Sequence, residues 1–243
     1  MHVIITGAKQ IELSIILPCY NPSPAWLQRL LTNLDQIKKE IPYTELVLVN
    51  DGSSTNFNVV EVAAAIKNYN DISIVTYATN MGKGYALRQG VQKAKGRYII
   101  YTDIDFPYTH ASFMALYENL KSTQNPIAIG VRNPAYYTHL PKARVRISKT
   151  LKWVIKNTLR IPTPDTQCGL KGFNAIGKEE FLQTTINRYL FDLEFIFIAA
   201  RKKLTINKVE VELRPEVVLS KMNLGILLQE FGNFFKILLR SLF

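Results

Sequence analysis

Apolar residues follow two different periods along this chain. Short β-branched runs end in loops with proline, asparagine, aspartate or glycine, and between them apolar residues recur every three or four positions. The runs predict strands at 13–17, 45–49, 72–77 and 97–102, and the longer-period stretches predict helices at 25–40, 58–69 and 84–95. Because such alternation is typical of βαβ units, the sequence predicts an α/β fold, with a mainly parallel mixed sheet flanked by helices.

The pattern is less regular after residue 105. The predicted elements there are a helix at 113–121, a strand at 127–131, a basic helix at 142–159, a turn-rich segment at 162–169, helices from about residue 178 and at 190–202, and a strand at 209–213. The chain has no internal repeat and no low-complexity linker. We therefore expect a single domain over residues 1–221.

Residues 222–243 carry a pattern of their own. Leucines and phenylalanines recur there at spacings of three and four, with Lys236 and Arg240 near the end, which predicts an amphipathic helix. Two interpretations remain open for this helix. It docks on its own domain, or Phe234 and Phe235 lie in a membrane interface with the basic residues beside them.

Charge changes the picture more than composition does. The net charge is +11, and no acidic residue occurs between Glu118 and Asp165, where nine lysines and arginines fall. Such a segment indicates an anionic partner (nucleic acid, anionic lipid or a phosphorylated substrate) or else a solvated basic face.

The two cysteines, Cys19 and Cys168, are too few for a disulfide scaffold, and we expect them to be packing residues. We expect no signal peptide, because residues 1–9 lack a charged n-region followed by a long apolar region, and we expect no bilayer span, because no apolar run reaches about 18 residues.

Polar residues follow each of the first four predicted strands. In a parallel sheet the carboxyl ends of the strands meet at one edge, where ligands bind. The convergence of four polar loops on that edge therefore predicts an active site. These loops contain Tyr20-Asn21, Asn50-Asp51-Gly52-Ser53, Thr79-Asn80 and Asp103-Ile-Asp105.

Asp103 and Asp105 come directly after a buried apolar run. Residues i and i+2 share one face of a strand, so a turn past its end can bring both carboxylates to one point. They would repel each other there unless a cation lies between them, and hard divalent ions bind carboxylate oxygens. A metal ion that holds a diphosphate is one interpretation, and a loop with two solvated acids is the other.

With these motifs identified, the chain resembles the family 2 glycosyltransferases of the GT-A fold. The similar segments are Leu17-Pro-Cys-Tyr-Asn21, Val49-Asn-Asp51-Gly-Ser-Ser54, Asn80-Met-Gly-Lys-Gly84 with Arg88, and Asp103-Ile-Asp105. The resemblance implies a nucleotide-diphosphate sugar donor, Mg²⁺ or Mn²⁺ as cofactor and inversion at the anomeric carbon. It also implies a nucleotide-binding half over 1–105 and an acceptor-binding half over 106–221.

The resemblance assigns roles to individual residues. The implied donor-binding residues are Pro18, Tyr20, Asn21, Asp51, Asn80, Lys83, Gly84, Arg88 and Asp103. Asp103 and Asp105 are the implied metal ligands, and the implied catalytic residues are Asp105 and Asp192. The implied residues for an acceptor phosphate are Arg132, Arg144, Gln167, Lys171 and Lys221. The chain departs from the family pattern at Pro22, where glutamate is usual, and at Leu170, where an aromatic residue is usual.

The second half of the chain narrows the implied substrates. Gly130-Val-Arg132, Asp165-Thr-Gln-Cys-Gly169, Phe191-Asp192-Leu-Glu194 and Ser220-Lys221 are similar to the polyprenyl-phosphate branch, above all to dolichyl-phosphate β-glucosyltransferases. This implies transfer of glucose from UDP-glucose to a polyprenyl phosphate by a peripheral enzyme on the cytoplasmic face of a membrane. The alternatives are GDP-mannose as donor, or a glycan hydroxyl as acceptor with Asp192 as general base. A nucleic-acid-binding module explains none of the strand-end motifs, so we expect no nucleic acid partner.

Overall fold

The structure is a computed structural model, and it describes residues 10–132, 155, 157–159, 161–162, 165–217 and 224–241. Its strands, in chain order, are β1 Leu13–Cys19, β2 Thr44–Asp51, β3 Ile72–Tyr77, β4 Tyr98–Tyr101, β5 Ile127–Arg132, β6 Lys171–Phe173 and β7 Ile206–Val211. Its named helices are α1 Trp26–Glu40, α2 Val59–Ile66, α3 Lys83–Lys93, α4 His110–Thr123, α5 Ala175–Leu182, α6 Phe191–Arg201 and α7 Leu224–Ser241.

The sequence patterns locate the elements of the first half correctly, and four elements of the second half need correction. Helix α4 begins at His110 instead of residue 113 and ends at Thr123 instead of residue 121. Strand β6 was not predicted, because it has three residues and follows a turn-rich segment. Strand β7 begins at Ile206 instead of residue 209, and α5 begins at Ala175 instead of about residue 178. Most of the predicted basic helix 142–159, and the predicted boundary between residues 221 and 222, lie outside the described residues.

The described strands form one seven-stranded sheet in the order β3-β2-β1-β4-β6-β5-β7. All neighbours pair in parallel except β6, which is antiparallel to β4 and to β5. The predicted mainly parallel mixed sheet is therefore confirmed. Six strands end at the same edge, so the loops that follow β1, β2, β3 and β4 meet there as expected.

Alternate residues of the central strands supply two apolar cores, one on each face of the sheet. Ile15 of β1 points into the core under α1, α2 and α4, and Ile16 points into the core under α3, α5 and α6. Cys19 and Cys168 are buried free thiols in the first core, and burial raises the pKa of Cys19 to about 12. Their predicted packing role is confirmed.

Helix α7 docks on the second core. Ile237 is buried, and Phe234 and Leu238 pack against the same cluster. Phe235 and Leu239, by contrast, are 53% and 43% exposed. Of the two interpretations for this helix, docking on its own domain is observed, while one stripe still faces outward. No described helix combines the length and the apolar character that a bilayer crossing requires.

Candidate active site

Asp51, at the end of β2, is buried and fixes the loop that leads into α3. Its Oδ1 accepts a hydrogen bond from the Met81 N–H at 2.7 Å, and its Oδ2 accepts from the Gly82 N–H and the Asn80 side chain, each at 2.9 Å. Gly52 follows with φ +66°, and a Cβ there would lie 2.6 Å from the Asn80 nitrogen. Only glycine allows this close approach of the two loops.

Asn21, after β1, organises the neighbouring loop. Its Oδ1 accepts from the backbone N–H groups of Ser54 at 2.8 Å and Thr55 at 3.1 Å, and its own N–H donates to Ser53 Oγ at 3.0 Å. Tyr20 precedes it with half of its side chain exposed. Asn21 is therefore a positioning residue, and Tyr20 presents an aromatic face that a base or sugar can contact.

Asp103 and Asp105 lie in a tight turn after β4. The Phe106 N–H donates to the Asp103 carbonyl at 3.0 Å, which closes the turn, and Phe106 has φ +47°. Burial, and then the charge of Asp103, raise the pKa of Asp105. Both carboxylates keep some exposure. The turn thus holds two partly accessible carboxylates whose negative charges repel each other, as the sequence predicts.

The ammonium group of Lys83, the first residue of α3, pairs with Asp103. Burial by itself would lower the pKa of Lys83, but the carboxylates of Asp103 and Asp192 outweigh this and leave it raised. The ammonium group of Lys83 therefore offsets part of the negative charge of this turn. Two carboxylates in one turn, close enough for the charge of Asp103 to raise the pKa of Asp105, fit a hard divalent cation, whose remaining ligands would be water or donor oxygens. Within the described ranges no group of three or more histidine, cysteine, aspartate or glutamate side chains is positioned to hold a metal ion by itself.

The segment 165–169 closes against this turn. A Cβ on Gly169 would lie 2.7 Å from Asp103 Oδ2, so glycine leaves the space that the carboxylate occupies. The Gly169 N–H donates to the Tyr108 hydroxyl at 3.0 Å, and Cys168 Sγ lies 3.2 Å from the same oxygen. Gln167 is exposed. Sequence reasoning quoted this motif but gave no role to Gly169 or Tyr108, because their partners lie about 60 residues away.

A buried ion pair lies beneath the site. Lys171 Nζ donates to Asp192 Oδ1 at 2.7 Å and to the Cys168 carbonyl at 2.5 Å, and the Tyr101 hydroxyl donates to the same Asp192 oxygen at 2.5 Å. Burial and then Asp192 raise the pKa of Tyr101 well above its usual range. Lys171 has no exposed surface, so contact with an acceptor phosphate would require its displacement. The structure shows it instead as the partner of Asp192.

Arg132, at the end of β5, forms a bidentate pair with buried Asp165. The guanidinium donates to Oδ2 at 3.1 Å and to Oδ1 at 2.5 Å, and the backbone N–H donates to Oδ2 at 3.0 Å. This pair fixes the start of the 165–169 segment against the sheet. The other two cations implied for an acceptor phosphate, Arg144 and Lys221, lie outside the described residues.

The start of α3 is held against the loop that precedes α6. The Gly84 N–H donates to the Asn187 carbonyl at 2.7 Å, and a Cβ on Gly84 would lie 2.5 Å from the Ile186 carbonyl oxygen. Arg88 donates to that same Ile186 oxygen at 2.9 Å. These contacts set Lys83 relative to Asp192. Gly84 and Arg88 therefore act as positioning residues in this structure. Pro18, another of the residues implied in donor binding, lies within β1 and pairs with residue 49 of β2.

Glu194 connects the same loop to α7. Its Oε2 accepts from the backbone N–H groups of Thr185 and Ile186, each at 2.8 Å, and its Oε1 accepts from Arg240 at 2.5 Å. Glu230 of α7 accepts from the Leu190 N–H at 3.0 Å. Sequence reasoning gave Glu194 no role, although it stands two residues after Asp192. Its contacts tie the tail helix to a wall of the site.

The fold and these loops define an α/β protein with an acidic ligand site at the carboxyl edge of its sheet. The model of glycosyl transferase family 2 matches residues 14–184. The chain belongs to this family, and the predicted glycosyltransferase class is confirmed.

Curated relatives agree with this assignment. A dolichyl-phosphate beta-glucosyltransferase of Trichomonas vaginalis is 31% identical over 235 residues, covering 89% of this chain and 69% of the relative. The dolichyl-phosphate beta-glucosyltransferase of Saccharomyces cerevisiae is 29% identical over 238 residues, covering 90% of this chain and 71% of the relative.

Solved structures confirm the GT-A fold. Glucosyl-3-phosphoglycerate synthase from Mycobacterium tuberculosis, in complex with Mn²⁺, UDP-glucose and phosphoglyceric acid, superposes with a TM-score of 0.65 at 15% identity, covering 95% of this chain and 79% of that one. Mannosyl-3-phosphoglycerate synthase from Rubrobacter xylanophilus gives a TM-score of 0.63 at 14% identity, covering 96% and 74%. Identities this low show a shared fold, and the ligands belong to those proteins.

Proposed function

We propose that this glycosyltransferase moves glucose from UDP-glucose to a polyprenyl phosphate, with inversion at the anomeric carbon. The similarity to dolichyl-phosphate beta-glucosyltransferases over most of the chain supports this donor and acceptor. The site has the parts that such a transfer needs: an acidic turn for a cation, a cationic side chain beside it and, after β1 at the same edge of the sheet, the exposed aromatic ring of Tyr20.

The observation that carries the acceptor proposal is the pairing of Asp192 with Lys171. A sugar hydroxyl would need a general base to remove its proton, and Asp192 is the candidate. Its Oδ1, however, already accepts hydrogen bonds from a buried ammonium group and from a tyrosine hydroxyl, so this oxygen is held within the protein rather than presented to an acceptor hydroxyl. A phosphate acceptor is already anionic near neutral pH and needs no strong base. The pair therefore favours a phosphate as nucleophile.

Asp103 and Asp105 would hold Mg²⁺ or Mn²⁺, which when bound would act as a Lewis acid and neutralise the diphosphate of the leaving nucleotide. The protein's own residues do the rest. Lys83, which pairs with Asp103, would bring a second positive charge to the phosphate oxygens of a bound donor. Asp51 holds the loop that carries Lys83, and the hydrogen bonds of Asp51 suggest that it acts on the nucleotide largely through this loop.

We propose that the enzyme contacts the cytoplasmic face of a membrane through the outer stripe of α7. Phe235 and Leu239, four residues apart, lie exposed on one side of the helix, and Lys236 is exposed beside them. Apolar side chains with an adjacent basic residue suit the headgroup layer of an anionic bilayer. Docking through Ile237 on the opposite side is compatible with this contact.

A labelling experiment tests the proposed reaction. Purified enzyme, Mg²⁺ or Mn²⁺ and a polyprenyl phosphate are incubated with radiolabelled UDP-glucose, and the butanol phase is counted. We expect label in the butanol phase with UDP-glucose and little with GDP-mannose. Label that stays in the aqueous phase on a glycan would contradict the lipid acceptor, and transfer from GDP-mannose alone would contradict the donor.

A further inference from the structure

The tail helix α7 contacts the loop that joins α5 to α6, and we call residues 184–190 the α5–α6 loop. Two buried carboxylates hold this loop. At its end, Glu230 of α7 accepts a hydrogen bond from the Leu190 N–H at 3.0 Å. At its beginning, Glu194 of α6 accepts from two backbone N–H groups, each at 2.8 Å. The α5–α6 loop is therefore fixed at both ends, and α7 supplies one of the two anchors.

Arg240, near the end of α7, connects the helix to the other anchor as well. Its Nη1 donates to Glu194 Oε1 at 2.5 Å, and its Nη2 donates to the Thr185 hydroxyl at 3.3 Å. The side chain of Glu194 is 1% exposed and that of Arg240 is 48% exposed. Among the described residues, Arg240 is the one cation that forms an ion pair with Glu194. Because a buried carboxylate is unstable without a charged partner, Arg240 helps to hold Glu194 and the start of the loop in place.

The opposite side of the α5–α6 loop contacts the start of α3. The Asn187 carbonyl accepts from the Gly84 N–H at 2.7 Å. A Cβ on Gly82 would lie 2.5 Å from that carbonyl oxygen, so the loop and the helix start are in close contact. Burial lowers the pKa of Arg88 in the second turn of α3, and the charge of Glu194 opposes this shift. The position of the loop therefore sets the position of the first turns of α3.

The first turn of α3 carries Lys83, whose ammonium group pairs with Asp103 of the acidic turn. A series of contacts thus runs from Arg240 through Glu194 and the α5–α6 loop to Lys83. Misplacement of a binding group by about 1 Å weakens a site strongly, even when its cause lies far from the ligand. The docking of α7 can therefore affect a ligand that α7 does not contact.

We propose that Arg240 is a positioning residue for the donor site. Through Glu194 and the α5–α6 loop, the docking of α7 sets the place of Lys83 and with it the affinity for the diphosphate of the donor. The inference rests on the nucleotide-sugar donor proposed above, and it adds a dependence of that site on the tail helix. Since coupling between two sites acts in both directions, a bound nucleotide should also stabilise the docked state of α7.

Calorimetric binding of UDP and of GDP in the presence of Mn²⁺ tests the coupling, at a temperature where all variants are folded. Arg240→Gln removes the charge, Arg240→Lys keeps it, and Arg201→Gln, at an exposed position of α6, is the matched control. For the nucleotide that the wild type binds more tightly, Arg240→Gln should lose at least about fivefold in affinity. Arg240→Lys should recover part of this loss, and Arg201→Gln should bind as the wild type does. Tighter binding of GDP than of UDP would contradict the proposed donor, whereas the effect of Arg240→Gln on GDP affinity would still support the coupling.

Amide hydrogen exchange without nucleotide tests the path of the coupling independently of the donor. The N–H groups of Gly84 and Tyr85 donate to the Asn187 carbonyl, so peptides that contain them report on the contact between loop and helix. We expect these peptides to exchange at least about fivefold faster in Arg240→Gln, while peptides from β1 keep their wild-type rates. The proposal is overturned if Arg240→Gln keeps the wild-type nucleotide affinity or the wild-type exchange at the start of α3. A uniform acceleration that includes β1 would also overturn it, because it would show a general loss of stability.

Discussion

Two strand ends of this molecule carry aspartates in opposite situations. Asp51, after β2, is buried, and both carboxylate oxygens accept hydrogen bonds from the loop at 80–82. Asp103 and Asp105, after β4, remain partly exposed, and each raises the electrostatic energy of the other. Asp51 is thus satisfied by backbone and amide N–H groups, whereas Asp103 has a partly exposed lysine as its partner and the two acids still repel each other, so a cation can bind there.

Asp192 resembles Asp51 in its burial but differs from it in the groups that stabilise its charge. It is as buried as Asp51, but a lysine neutralises it instead of backbone N–H groups. A carboxylate anchored in this way orients the groups that surround it. The comparison therefore predicts that the three kinds of aspartate respond differently to substitution.

The largest effect is expected at the buried ion pair. Lys171→Met leaves the Asp192 carboxylate unpaired in the core and should lower the free energy of unfolding by about 3–5 kcal/mol. Denaturant titration followed by tryptophan fluorescence measures this loss. The double variant Lys171→Met/Asp192→Leu should recover much of it, because no buried charge remains. A loss under about 1 kcal/mol in the single variant would contradict the pairing.

Asp105→Asn should affect activity and spare stability. Loss of a group that stabilises charge in the transition state should reduce transfer at least about a hundredfold. The melting temperature should change little, because the carboxylate lies outside the core. Chelation by EDTA should abolish wild-type transfer in the same assay. Glu118→Gln, at an exposed position of α4, serves as the control and should keep full activity; full activity of Asp105→Asn under chelation would sink the metal mechanism.

Asp51→Ala should act on stability and nucleotide affinity together. It leaves buried N–H groups of the 80–82 loop without an acceptor, at a cost of about 1–3 kcal/mol in unfolding free energy. UDP affinity should fall more than the turnover rate does, because the loop that carries Lys83 is no longer held. Calorimetric UDP binding and a thermal melt measure the two effects. Unchanged affinity for UDP would remove Asp51 from the donor site.

The smallest effect on stability is expected on the outer face of α7. Phe235→Ser should change the unfolding free energy by about 0.5 kcal/mol or less, because the ring is exposed. It should nevertheless weaken binding to anionic liposomes about tenfold, since apolar area leaves the interface. Phe234→Ser is the matched variant, and it should lower stability because Phe234 packs on the second core. Undiminished liposome binding of Phe235→Ser would reject the membrane contact.

The parallel half of the fold could be predicted from sequence because each element signals itself locally. Strands β1 and β2 are mostly apolar runs, and helix α1 between them keeps a helical period. Strand β6 has no such signal, since its three residues pair only with partners far away in sequence. The start of α5 does have a local signal, because Asn174 caps the Ile176 and Gly177 N–H groups, but the spacing of apolar residues alone does not reveal this cap.

The positions of the candidate site residues were predictable, but their contacts were not. Every strand end that was singled out does lie at the carboxyl edge of the sheet. That Lys171 is buried depends on Asp192, which lies 21 residues away, and neither motif alone reveals the other. In the same way, nothing in the Asp-Gly-Ser segment shows that Asp51 is already satisfied by Met81 and Gly82.

Mn²⁺ binding in the presence of UDP tests the comparison most directly. Electron paramagnetic resonance of free Mn²⁺ gives its affinity for wild type, Asp105→Asn and Asp51→Asn at a temperature where all three are folded. We expect Asp105→Asn to lose about tenfold or more in Mn²⁺ affinity, as removal of a carboxylate ligand implies. Asp51→Asn should change this affinity far less. Wild-type Mn²⁺ affinity in Asp105→Asn, or an equal loss in both variants, would contradict the assignment of Asp103 and Asp105 as the aspartates available to a cation.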